Sequence, residues 1–208
     1  GMKKFTLIFA LGLLISCTGF QTTEEPVKAP EIYSNMPLEK AVSAAMEFGG
    51  KTLRQVKKLI KRKKAWPEAS KIVYNRINAN FEAMTPNQFV GAMHLYMSWP
   101  QYGQTELFRK MVKDDRPMVR QLGWQLASVV RNKKMGLAVQ DVLDKALENN
   151  NIDQILVSQM ANTVERHQMK ESYTLMRMGL FKTDHEDFAK AMISLDPVRS
   201  SAAFMDYL

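Results

Sequence analysis

From Pro37 to Leu208 the chain reads as an all-α protein, an α-solenoid of stacked antiparallel helix pairs. Three observations predict this. Apolar residues recur at helical spacing throughout, and no stretch of strand length alternates polar and apolar residues. Helix-start signals recur with only short links between them. A weak internal repeat runs through the second half, at a spacing of 35 and then 33 residues.

The pattern predicts helices at about 37–49, 51–64, 67–83, 86–98, 104–114, 116–132, 136–149, 152–168, 170–182, 185–195 and 197–206. Thr85-Pro86-Asn87-Gln88 opens the fourth, with an N-cap Thr, Pro at the first helical position and Gln at the third. Asn151-Ile152-Asp153-Gln154 opens the eighth by the same logic, Asp184-His185-Glu186-Asp187 the tenth, and Asp196-Pro197 the last.

The repeat has three units. Leu107-Phe108-Arg109-Lys110 leads through Asp114-Asp115-Arg116-Pro117 into Val119-Arg120-Gln121-Leu122. Val142-Leu143-Asp144-Lys145 leads through Asn149-Asn150-Asn151 into Ile155-Leu156, and Leu175-Met176-Arg177 through Thr183-Asp184 into Phe188-Ala189. The first unit, LFRKMVKDDRPMVRQLGWQLASV, resembles a HEAT repeat: an apolar helix, Asp and Pro in the turn, then Val-Arg opening a second helix. The other two keep the hydrophobic rhythm but lack the Pro and the Val-Arg pair, so a tetratricopeptide-like or irregular solenoid stays open.

The start of the chain has its own pattern. Lys3-Lys4 and the apolar run Phe5 to Leu14 precede Leu14-Ile15-Ser16-Cys17. A charged start, a short apolar stretch and a small residue before Cys make a secretory signal peptide that resembles a bacterial lipobox. The apolar run is too short to span a bilayer, which takes ~20 residues. The resemblance implies cleavage before Cys17 and a lipid on its thiol. Residues 1–16 are then a signal peptide, with Gly1 before Met2 a tag remnant, 17–36 a polar tether with Pro26 and Pro30, and 37–208 the helical domain. Thr18 after the Cys, where Asp would favour retention at the inner membrane, points to the periplasmic face of the outer membrane.

Composition narrows the function. Cys17 is the sole cysteine of 208 residues, so no disulfide holds the fold and no thiol is free for catalysis. The net charge of +8 is local: Lys51, Arg54, Lys57, Lys58, Lys61, Arg62, Lys63 and Lys64 stand together without an acid. Outside them and Lys3-Lys4, 19 cations face 21 acids, which argues against a general nucleic-acid-binding surface. In the helical projection Leu53, Val56, Leu59 and Ile60 share one arc. Arg54, Lys57, Lys58, Lys61, Arg62 and Lys64, with Lys51, take the other, and Lys63 strays toward the apolar side. Such a face suits anionic lipid or a wall polymer. It also suits plain solvation over an internally packed stripe.

Trp124 is the second candidate. Val119, Leu122, Gly123, Leu126 and Val130 form the apolar stripe of its helix, and Trp124 projects on the other side with Arg120, Ser128 and Arg131. Trp and Arg on an open face are residue types that dominate interfaces. The next second-position helices offer Gln154, Ser158 and Asn162, then Glu186, Lys190 and Ser194, at i, i+4, i+8. Three polar rows side by side on a concave face would take a protein partner. The competing reading packs Trp124 against a neighbouring repeat.

Other chemistry finds less support. Met93-His94-Leu95-Tyr96-Met97 would suit Cu(I), yet Met is also the adaptable filler of helix packing. His94, His167 and His185 share no ligand spacing, so neither metal nor cofactor is expected. No nucleophile elbow, HExxH or phosphate loop occurs. Glu82, Glu106, Glu165 and Glu171 are available to a glycan-cleaving enzyme, with nothing to single one out. The preferred expectation is a lipid-anchored cell-envelope scaffold or adaptor. The alternatives are a wall-glycan enzyme and an anionic-surface module.

Overall fold

The computed structural model describes residues 27–207 and builds eleven α-helices and no strand among them. They are α1 (Leu38–Phe48), α2 (Gly50–Lys63), α3 (Trp66–Asn80), α4 (Pro86–Tyr96), α5 (Gln104–Met111), α6 (Pro117–Val129), α7 (Lys133–Glu148), α8 (Val157–His167), α9 (Tyr173–Thr183), α10 (Glu186–Leu195) and α11 (Pro197–Tyr207). A short 3₁₀ turn, Lys170–Ser172, leads into α9. The signal segment, Cys17 and the first part of the tether lie outside the described residues.

The helices stack in two layers. α3/α4, α5/α6, α7/α8 and α9/α10 are hairpins, and α4, α6, α8 and α10 pack in series as one layer. α5, α7 and α9 pack in series as the other, α1 lies beside α4 with α2 folded back on it, and α11 continues from α10. This is a helical-repeat solenoid. A helix in such an array is covered on two or three sides, so one apolar stripe is not enough to place its residues.

Local signals explain where elements begin. Thr85 and Gln88 form a reciprocal capping box at α4, with Gln88 N donating to Thr85 Oγ1 at 3.3 Å and Thr85 N to Gln88 Oε1 at 3.0 Å. Asn132 caps α7, taking the Met135 amide at 2.8 Å, and so starts the helix three residues before the expected 136. At α10 the cap is His185, whose Nδ1 accepts from the Asp187 amide at 3.3 Å, while Asp184 sits left-handed at φ 54° as the end of α9.

The expected helix at 152–168 starts late. Asp153 does cap locally, accepting the Ile155 amide at 3.2 Å, but its other oxygen is taken by Arg120 at 2.8 Å. That pull from the neighbouring unit holds 151–156 as a loop, and α8 begins at Val157.

The period reappears in the bonds between units. Arg116 Nη2 donates to Phe81 O at 3.1 Å across 35 residues, Arg120 reaches Asp153 across 33, and Lys182 Nζ donates to Leu147 O at 2.6 Å across 35. Phe81 ends α3, and Leu147 lies in the last turn of α7. Both carbonyls lie at the negative ends of helix dipoles, where a cation from the next unit is favoured, and Leu147 O takes Lys182 in addition to the Asn150 amide at 3.2 Å.

The core is continuous through the layers and rich in methionine: Met36, Met84, Met93, Met111, Met135, Met160, Met176 and Met192 are buried in it. Met93 is buried and His94 exposed, so the two do not converge on one point. α1 and α4 approach closely at Gly91, where an added Cβ would stand 2.9 Å from Met46 O.

Candidate functional site

A cleft of about 780 Å³ lies between the α5–α6 turn and the 149–156 loop. Trp124 contributes to its floor. The indole is 2% exposed and meets the Phe108 ring edge-on, centroids 5.3 Å apart at 81°. The exposed-anchor reading of Trp124 is therefore corrected. Its side of α6 faces the neighbouring unit rather than solvent, because a helix in this layer has α5 behind it and α4 and α8 on its flanks.

Beside the indole, Arg120 is held rigid. Its Nε donates to Asp153 at 2.8 Å, and its Nη1 to the Asp114 and Asp115 carbonyls at 3.0 and 2.9 Å. Across the cleft Arg109 pairs with Asp141, which also takes Lys145 at 3.0 Å. The Arg109 hydrogen bond, then that of Lys145, holds the Asp141 carboxyl below the usual range. Asp114 is likewise lowered, chiefly by its hydrogen bonds from Arg116, whose Nε lies 2.8 Å away. The four cations in the wall (Arg109, Lys113, Arg120, Lys145) are matched by four carboxylates (Asp114, Asp115, Asp141, Asp153).

Of the cleft's lining, one large apolar group is left in the open. Ile155, on the loop at the cleft's edge, is 83% exposed. The repeat alignment placed it as the counterpart of Val119, a core position. The late start of α8 turned it out to solvent. Arg109, Asp141, Asp153 and Ile155 were not singled out as site residues from the sequence. Charge spacing carries the one signal that could have found them: Arg109–Asp141 and Arg120–Asp153 lie 32 and 33 residues apart, two or three short of the 35-residue spacing of the units they join.

The remaining candidates scatter. Gln154 lies on the loop at the cleft, off the helix that was to align it with Ser158 and Asn162. Ser158 is exposed on α8 and bonds to Asp187 of α10, whose carboxyl it lowers. Lys190 is exposed and bonds to Glu186 at 2.8 Å and Asp187 at 3.1 Å. Asn162 is exposed on α8, and Arg131 is exposed just past the end of α6. Ser128 is half-buried, donating to Gln125 O at 2.8 Å. It lines a second cleft of about 350 Å³ with Lys57, His94 and Met97. The polar rows thus spend several of their groups on each other.

α2 behaves as projected on its inner side: Leu53, Val56, Leu59 and Ile60 are buried. Arg54, Lys58, Lys61, Arg62 and Lys64 are exposed, whereas Lys57 is half-buried in the second cleft, where desolvation pushes its pKa down. Lys63 donates to Met36 O at 2.9 Å. Among the described residues no helix is long and apolar enough to cross a membrane. No family model, no curated protein and no solved structure matches this chain.

Proposed function

We propose that this chain is a lipid-anchored scaffold or adaptor of the bacterial cell envelope, on the periplasmic face of the outer membrane, that takes a segment of a protein partner into the cleft between the α5–α6 turn and the 149–156 loop. The observation that carries this reading is Ile155: a large apolar side chain, 83% exposed, at the edge of a cleft whose walls are paired charges. An apolar contact ringed by polar groups is how interface centres are built. Fixed charges on both walls suit a segment of mixed charge. Anchoring through Cys17 belongs to the same reading and is supported by Leu14-Ile15-Ser16-Cys17.

The experiment is site-specific photocrosslinking in cells, with the photoreactive group at Gln154. A discrete adduct is expected, and it should fade when Ile155→Asp is added. No adduct beyond that given by a crosslinker at exposed Lys71, on α3, would reject the cleft as the docking site.

A further inference from the structure

We propose that the exposed face of α2 docks on an anionic phospholipid bilayer, at the end of the molecule where the N-terminal segment leaves the fold. Elsewhere the domain neutralises many of its cations: Arg76, Arg109, Arg116, Arg120, Lys145 and Lys190 each pair with a carboxylate. Among the described residues no carboxylate lies within ion-pair distance of any α2 cation. Arg54 and Lys58, and Lys58 and Arg62, are like charges four apart, an arrangement that destabilises a helix. The array therefore holds a strip of about 20 Å whose charge no carboxylate among the described residues offsets, and which an outside anion would neutralise.

The shape of the strip selects the anion. The apolar side of α2 is buried in the fold, so the helix offers charge without an inserting stripe. Arg54, Lys58, Lys61 and Arg62 project from one convex helix instead of lining a groove, which suits a flat anionic surface better than a threaded polymer. The position agrees. Lys63 ties Met36 to the last turn of α2, so the segment running back toward residue 17 begins beside Lys61 and Arg62. Tyr33 on that segment is 45% exposed, the kind of side chain that settles at headgroup level. Ile32 packs against the core, and from Cys17 to Val27 the chain can extend at most about 35 Å. A lipid on Cys17 would keep α2 within reach of the same bilayer, and in this respect alone the inference rests on the anchoring reading.

The test uses the full chain, unlipidated, with vesicles containing phosphatidylglycerol or pure phosphatidylcholine. Binding to the anionic vesicles is expected, with little to phosphatidylcholine. Arg54→Gln, Lys58→Gln, Lys61→Gln and Arg62→Gln together should weaken it several hundredfold, at about fivefold per cation. The difference should shrink in about 1 M salt, where the Debye length falls to about 3 Å. A control with the same charge loss at exposed Lys71, Lys133, Arg166 and Lys170 should keep most of the binding. Three results overturn the proposal: equal binding by the α2 variant and the parent chain, equal loss in the control, or tighter binding to soluble polyglutamate than to vesicles at equal anion concentration. Fractionation of cells carrying Cys17→Ser reads the anchor separately, so the two readings fail independently.

Discussion

Trp124→Ala is the sharpest test of how this array is packed. A buried Trp removes about 200 Å² from water. At about 25 cal/mol per Å² that is an upper value near 5 kcal/mol, of which the remaining Ala keeps a part. The edge-on contact with Phe108 adds about 0.5–1.5 kcal/mol. Truncating a buried Trp costs about 3–5 kcal/mol in practice, the range expected here. For a domain of this size each kcal/mol moves Tm by about 2–4 °C, so the variant should melt about 6–20 °C below the parent chain. Thermal unfolding followed by circular dichroism reads this directly. Trp124→Phe should fall between, since it keeps an aromatic ring but not the volume. A Tm within about 2 °C of the parent for Trp124→Ala would mean the indole holds nothing together, and the packing argument would fail.

Two further outcomes follow from close contacts and charges. In Gly91→Ala the new Cβ would stand 2.9 Å from Met46 O and 3.1 Å from Ala45 O, both backbone, so α1 must shift. Overpacking of about 1–3 kcal/mol outweighs the gain of about 1 kcal/mol in helix propensity, so Tm should drop, and a rise would show that α1 yields freely. Asp114, Asp141 and Asp187 all have carboxyls lowered by hydrogen bonds, led by Arg116, Arg109 and Ser158 respectively. A lowered folded pKa stabilises the native state above the ordinary carboxylate value, and that support is lost as pH falls through the folded pKa. Melting should change little from about pH 7 to 5 and fall below about pH 4, with a smaller fall in Asp114→Asn. A Tm unchanged between about pH 5 and 3 would contradict the assignment.

The helices were legible because their causes are local. Thr85 with Gln88 sets a start that owes nothing to the rest of the chain, and the stripe Leu53, Val56, Leu59, Ile60 turns inward as its spacing requires. What failed was set by neighbours. Arg120 captures Asp153 and delays α8, which leaves Gln154 off its row and Ile155 in solvent. The projection that put Trp124 on an open side assumed one buried face, but a helix in a double layer has several. Half of the candidate cleft was therefore visible, in Arg120, Trp124 and Gln154. The other half depends on which carboxylate each arginine meets in the next unit.

The bonds from Arg116, Arg120 and Lys182 all lie at the same ends of the hairpins, beside the 81–85, 112–116 and 149–156 connections. The array is bound along this edge, like the spine of a book, and the opposite edge has bonds of its own, His167 Nε2 to Ala127 O at 2.8 Å and the exposed Lys134–Glu106 pair at 3.4 Å. The cleft beside Trp124 lies on the spine, so its width is set before a partner arrives, and little of the binding energy goes into ordering it.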